Sequence, residues 1–158
     1  MGDNMVENIE LKLGDKVPDF VLLDQNKKEI RISDLKGKKV LLSFHPLAWT
    51  GVCAKQMQSL ENNSDRFQRL NIIPLGVSID TIPSKKAWAE HLGITKTSLL
   101  SDFWQHGMVA KTLGIFREKD GFSERANILI DENQVISFFK VYDMPELPDL
   151  EEIFATIK

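Results

Sequence analysis

The chain has 158 residues, 42% of them hydrophobic and 27% charged, a balance that predicts one globular domain spanning residues 1–158. Its formal net charge of -3 leaves no basic field to hold nucleic acid, and no stretch approaches the roughly 18 consecutive apolar residues of a membrane span. The single cysteine excludes an intrachain disulfide and a multi-thiolate zinc site, and His45, His91 and His106 lack metal-ligand spacing.

Residues 1–18 read as an irregular lead-in with a short strand near Ile9–Leu13. Its acidic opening, Met1 to Glu7, lacks the basic-then-apolar order of a secretory signal, so a cytoplasmic location is expected. Phe20 to Leu23 and Glu29 to Ile32 are strand candidates around the turn-prone Asp24-Gln25-Asn26. Ser33 caps a brief helix ending at Gly37, and the lysines of Lys27-Lys28 and Lys36 to Lys39 read as solvated turns. Val40 to His45 is nearly all apolar, as in a central strand covered on both faces, and Pro46 stops it.

A helix is expected from about Gly51 to Leu70, because Cys53, Met57, Leu60, Phe67 and Leu70 recur at helical spacing. Ile72 to Ile79 returns as a strand and completes a β-α-β unit. A helix from Pro83 or Ser84 to His91 ends at Gly93, Leu99-Leu100 is extended, and Val109 to Leu113 is a short helix stopped by Gly114. Ala126 to Ile130 and Val135 to Val141 form an antiparallel pair, and Leu147, Leu150, Ile153, Phe154 and Ile157 mark a closing amphipathic helix. Strands alternating with helices, then a hairpin and a last helix, predict a mixed α/β sheet flanked by helices.

The chemistry concentrates in Pro46-Leu47-Ala48-Trp49-Thr50-Gly51-Val52-Cys53. With Thr50 as N-cap, Cys53 falls in the first helical turn, where free backbone N–H groups and the helix dipole favour a thiolate. Taken alone, each residue has a plainer explanation. Cys53 shares a face with the apolar Met57 and Leu60, Thr50 is a common cap, and Pro46 is a strand terminator. Three such coincidences in one loop between a buried strand and a helix are harder to dismiss.

Pro46-x-x-x-Thr50-x-x-Cys53 resembles the active-site pattern of the peroxiredoxin family. The likeness continues through Gly14 to Phe20, Gly76 to Asp80, Lys86-Ala87-Trp88-Ala89 and Arg125 at the head of Ala126 to Asp131. Leu100-Ser101-Asp102-Phe103-Trp104-Gln105-His106-Gly107, together with the lone cysteine, is most similar to the one-cysteine alkyl hydroperoxide reductase E type.

The resemblance implies a thioredoxin-like fold and a thiol-dependent peroxidase acting on hydrogen peroxide or organic hydroperoxides. Cys53 would attack the terminal peroxide oxygen and become a sulfenic acid. Thr50 would hydrogen-bond the sulfur and the peroxide, Pro46 would wall the pocket, and Arg125 would supply a fixed positive charge. No flavin, haem or metal is implied. With no second cysteine, an external reductant must resolve the sulfenic acid: a small thiol, thioredoxin or a glutaredoxin-like protein. A homodimer is implied as well.

Two positions depart from the family pattern. Gln56 stands where many relatives carry glutamate, which puts a carboxylate contact to Arg125 in doubt. His45 stands where an aromatic is common and reads as a packed strand-end residue. Trp49 and Trp88 are candidates for lining the pocket or a dimer contact. The rival from another class is a non-catalytic redox sensor or binding protein on the same fold. A disulfide oxidoreductase is disfavoured, because Cys53-Ala54-Lys55-Gln56 lacks the second thiol.

Overall fold

The computed structural model describes residues 11–157. Its centre is a seven-stranded sheet in the order β2-β1-β5-β4-β3-β8-β9. The strands are β1 (Val21–Leu23), β2 (Glu29–Arg31), β3 (Lys39–Phe44), β4 (Ile72–Ser78), β5 (Ser98–Ser101), β8 (Arg125–Ile130) and β9 (Ile136–Tyr142). β3 runs parallel to β4 and β4 to β5, whereas β8 joins β3 antiparallel and β9 joins β8 antiparallel. The mixed α/β class expected from the sequence is the class observed.

The run from Val40 becomes the central strand because it has apolar partners on both faces. Val40, Leu42 and Phe44 join one core with Ile32, Val77, Ile128 and the short helix α4 (Met108–Thr112). Leu41 points the other way, into a second core with α1 (Gly51–Asn62), α2 (Ser64–Arg69), α3 (Ile82–Leu92) and α5 (Glu151–Phe154). Gly76 lets α1 lie close on β4: a Cβ there would meet the Met57 sulfur at 2.3 Å. α3 extends slightly beyond the expected span at both ends and stops at Gly93 as expected, with Thr81 as N-cap, Pro83 in the first turn and Gly93 left-handed (φ 72°).

Several elements differ from expectation. The helix expected over Gly51 to Leu70 is two, broken at Asn63, whose side-chain amide donates to Ser59 O (2.8 Å). Asparagine side chains compete for backbone groups in this way and interrupt helices. The closing helix is reduced to Glu151–Phe154, and Leu147 stays largely exposed. Pro148 keeps Leu147 out of helical conformation, so the helix starts only after Asp149, whose carboxylate accepts from Glu151 N (2.9 Å). The turn at Ser33 is a 3-10 helix over Ile32–Leu35. Leu11 to Leu13 is not strand, and Ile9 and Glu10 lie outside the described residues. A small hairpin, β6 (Phe116–Arg117) with β7 (Phe122–Ser123), was not foreseen.

Candidate active site

β3 ends at Phe44 on the edge of the helical layer, and Pro46, buried, turns the chain into the loop that leads to α1. That loop is pinned from β4. Asp80 Oδ2 accepts from Ala48 N (2.8 Å) and from the Ser78 hydroxyl (2.6 Å). Trp49 follows with a left-handed backbone (φ 69°), a conformation that a bulky residue adopts only when its surroundings impose it. Its indole donates to Ser84 Oγ (3.1 Å), and its ring lies against His91 (5.5 Å between centroids).

Thr50 occupies the N-cap position of α1 with extended backbone angles, but its side chain caps nothing. The hydroxyl instead donates to Leu47 O (2.9 Å). Cys53 lies in the first turn of α1, 1% exposed and with a free thiol. Arg125, the first residue of β8, reaches it across the sheet: Nη1 donates to Cys53 Sγ (3.3 Å) and to Gln56 Oε1 (2.7 Å), and Nε donates to Met144 O (2.9 Å). Of the four residues singled out from the sequence, Cys53 and Arg125 touch, while Pro46 and Thr50 stand in the loop between β3 and α1.

Gln56 keeps the arginine contact without a carboxylate. Its Oε1 faces Arg125, and its Nε2 donates to Ser43 Oγ (2.8 Å) and Phe44 O (3.0 Å). Ser43 in turn donates to Asn127 Oδ1 (2.8 Å). An amide suits this position because it must accept on one side and donate on the other, which a carboxylate cannot do. Trp88 neither lines a pocket nor reaches a surface; it is fully buried against His45 (5.3 Å between centroids). Burial holds His45 well below its ordinary value near 6.5, with the positive charge of Lys85 adding to the effect, so its ring is neutral.

The sequence reading missed Ser43, Asp80, Asn127 and above all Lys85, which is buried in the same layer. The signal for Lys85 was its position one turn before Trp88, on the face of α3 that carries Ala89. Among the described residues no helix is long and apolar enough to cross a membrane, and no cluster of three or more metal-binding side chains occurs.

These features define a class: a mixed α/β protein that presents one buried thiol beside a buried guanidinium. The AhpC/TSA family model matches residues 13–139. Alkyl hydroperoxide reductase E of Mycobacterium tuberculosis is 36% identical over 140 residues, 88% of this chain and 91% of that protein. Peroxiredoxin-1 of Gekko japonicus is 31% identical over 156 residues, covering 92% and 77%. Among solved structures, peroxidoxin BcpB of Mycobacterium tuberculosis superposes with a TM-score of 0.81 at 27% identity, covering 93% of this chain and 96% of that one. AhpC of Enterococcus faecalis gives 0.83 at 25% identity, covering 92% and 89%. The chain belongs to the AhpC/TSA family, the peroxiredoxins. It has the thioredoxin-like fold of that family and is a thiol-dependent peroxidase of the one-cysteine type.

Proposed function

We propose that Cys53 is the peroxidatic nucleophile and that it reduces hydrogen peroxide, organic hydroperoxides or both. The observation that carries this reading is the bond from Arg125 Nη1 to Cys53 Sγ (3.3 Å), on a guanidinium already fixed by Gln56 and Met144 O. A cation held in place by two other acceptors does not have to reorganise when charge develops at the sulfur and on the leaving oxygen. The thiolate electron pair forms the S–O bond as the O–O bond breaks, leaving a sulfenic acid and releasing water or an alcohol.

Thr50 serves the bound peroxide once its hydroxyl turns from Leu47 O, a rotation about one bond. Pro46, buried where the loop leaves β3, keeps bulk water from the sulfur. Because Cys53 is 1% exposed and no second cysteine exists, a partner thiol reaches the sulfenic acid only when the first turn of α1 and the Trp49 loop open. A small thiol, thioredoxin or a glutaredoxin-like protein then resolves it. A reducing compartment such as the cytoplasm suits a thiol regenerated in this way.

The chain is expected to act as a homodimer. The support is an apolar groove along Leu22, Ile82, Pro83 and Phe103, bordered by Trp104, which is 80% exposed. Sedimentation of wild type and Trp104→Glu checks this, with dissociation expected in the variant.

The test of the chemistry is rapid mixing of reduced protein with stoichiometric hydroperoxide, followed by tryptophan fluorescence and mass spectrometry. Fast formation of one sulfenic acid per chain, abolished in Cys53→Ser, is the expected result. Oxidation no faster than that of a free thiol with hydrogen peroxide and with organic hydroperoxides would overturn the reading.

A further inference from the structure

Arg125 is 4% exposed, and an arginine does not shed its proton to escape the cost of burial. Such a charge is expensive unless acceptors and an opposite charge offset it. Its acceptors are Gln56 Oε1 (2.7 Å), Met144 O (2.9 Å) and Cys53 Sγ (3.3 Å). The first two are neutral amide oxygens. None of the ion pairs among the described residues includes Arg125.

The charged and titratable groups of the surrounding elements are engaged elsewhere or carry no negative charge. Glu124, its neighbour in the chain, accepts from Arg117 Nη1 (2.6 Å). Tyr142, opposite it on β9, donates to Glu152 (2.9 Å). His45, after β3, is neutral, and Lys85, on α3, is a base. Asp80, after β4, accepts from Ala48 N and Ser78, and Asp102, after β5, from Val109 N (3.1 Å) and Ala110 N (3.0 Å). Within hydrogen-bond reach of the guanidinium, Cys53 is the one ionisable group among the described residues.

Gln56 decides this balance. It follows Cys53 by one turn of α1 and is 1% exposed. Its Nε2 is drawn to Ser43 Oγ (2.8 Å) and Phe44 O (3.0 Å), which leaves Oε1 to face Arg125. An amide and a carboxylate would both accept from Nη1, but they differ by a full charge.

We infer that Gln56 is a positioning residue of the peroxidase site: it holds Arg125 by a neutral oxygen and so leaves the whole guanidinium charge to Cys53. The inference rests on the peroxidatic role given above to Cys53. With the thiol ionised, sulfur and guanidinium form a buried ion pair. During attack the negative charge passes from the sulfur to the departing oxygen, and the same undiminished cation faces it there. A carboxylate in place of the amide would take up part of that cation's field at both stages.

The experiment compares the pH profile of Cys53 alkylation by iodoacetamide in wild type, Gln56→Glu and Gln56→Leu from about pH 5 to about pH 9. Gln56→Glu keeps an acceptor for Arg125 and adds a charge; Gln56→Leu removes the acceptor and adds none. Gln56→Glu is expected to move the midpoint upward by about one unit, a loss of about tenfold in rate below it, and Gln56→Leu to move it by less than about a third of a unit. Were Gln56 only an anchor for the arginine, the order would reverse, with Gln56→Glu the closer to wild type. A second measurement needs no substitution at Gln56: the nitrogen NMR resonance of Arg125 Nε is expected to move across the same midpoint in wild type and to stay put in Cys53→Ser.

An unmoved midpoint in folded Gln56→Glu, an equal shift in Gln56→Leu, or an Arg125 resonance that ignores the thiol overturns the assignment while fast peroxide reduction by wild type still stands. The expected shifts in a protein whose wild type consumes no hydroperoxide overturn the peroxidase reading, and with it any use of this charge in catalysis.

Discussion

Two buried polar regions flank Cys53, and they are built on opposite principles. On the β8 side, Arg125, Gln56, Ser43 and Asn127 form a chain in which each hydrogen bond hands on to the next, ending at the Asn127 amide, whose nitrogen lacks a partner among the described residues. On the α3 side, Lys85 and His45 are as deeply buried, yet their side-chain nitrogens bond to nothing among the described residues. A connected network fixes geometry. An unsatisfied charge stores free energy that a change of charge nearby can release. The first region therefore aims a donor at the sulfur, whereas the second leaves a buried amine uncompensated.

The sharpest way to break this contrast is Arg125→Met. It removes the guanidinium from Cys53 Sγ and strands Gln56 Oε1 and Met144 O. The rate of Cys53 oxidation is expected to fall about 100-fold, the loss typical of one preorganised donor. Stopped-flow oxidation at saturating and subsaturating peroxide measures it; a change under about threefold would mean that Arg125 only packs.

Lys85→Met should do the reverse to stability. Removing an unpaired buried ammonium while keeping its bulk is expected to stabilise the fold by about 2 kcal/mol near neutrality. The folded amine titrates near 7 against 10.5 for an ordinary lysine, so between those values the unfolded chain binds more protons and wild-type stability rises with pH. The advantage of the variant is therefore largest below pH 7 and fades towards about pH 10. Urea melts across that window check the sign, and a variant less stable than wild type at every pH would refute it.

How much of this was legible in the sequence follows the range of the interactions. The β3 run, the Gly93 stop and the antiparallel pair β8 and β9 were readable because each is a local pattern. The thiol loop was readable as a motif, but its meeting with Arg125, 72 residues away, came only through family resemblance. Where two local signals compete, periodicity alone misled. Apolar spacing ran through Asn63 and Pro148: side-chain capture of a carbonyl interrupts the first helix at Asn63, and Pro148 bars Leu147 from helical conformation and delays the start of the last one. Lys85 was hidden for another reason. A lysine on a helix ordinarily reads as solvated, and its place on the face of Trp88 and Ala89 is a weak signal beside that expectation. The hairpin of β6 and β7 is too short, at two residues a strand, to carry alternation.

A smaller effect tests the connected network at its middle. Gln56→Leu leaves the Arg125 Nη1 donor to the sulfur in place but withdraws both donors from Ser43 Oγ and Phe44 O. The expected loss is about 1.5 kcal/mol of stability, since buried acceptors lose their partners while the added apolar contact offsets part of the cost. Denaturant midpoints measure it, and no loss would show the network to be replaceable by packing.

The smallest predicted effect comes from Glu61, which serves as a control remote from the thiol. Its carboxylate accepts from the backbone of Thr95, Lys96 and Thr97 and from two threonine hydroxyls, fastening α1 to the loop before β5. Burial opposes ionisation here, but these donors outweigh it and bring the group from 4.5 to about 2. The folded value lies below the unfolded one, so the contribution is complete above about pH 4.5 and is lost as pH falls towards 2. The group is partly exposed and solvent screens it, so the worth at neutral pH is about 1 kcal/mol. Glu61→Gln should lower the denaturation midpoint by that amount at pH 7, converge with wild type in acid, and leave the pH profile of Cys53 alkylation untouched. Movement of that profile would mean that loop anchoring reaches the thiol, and the independence of this anchor from the site would fail.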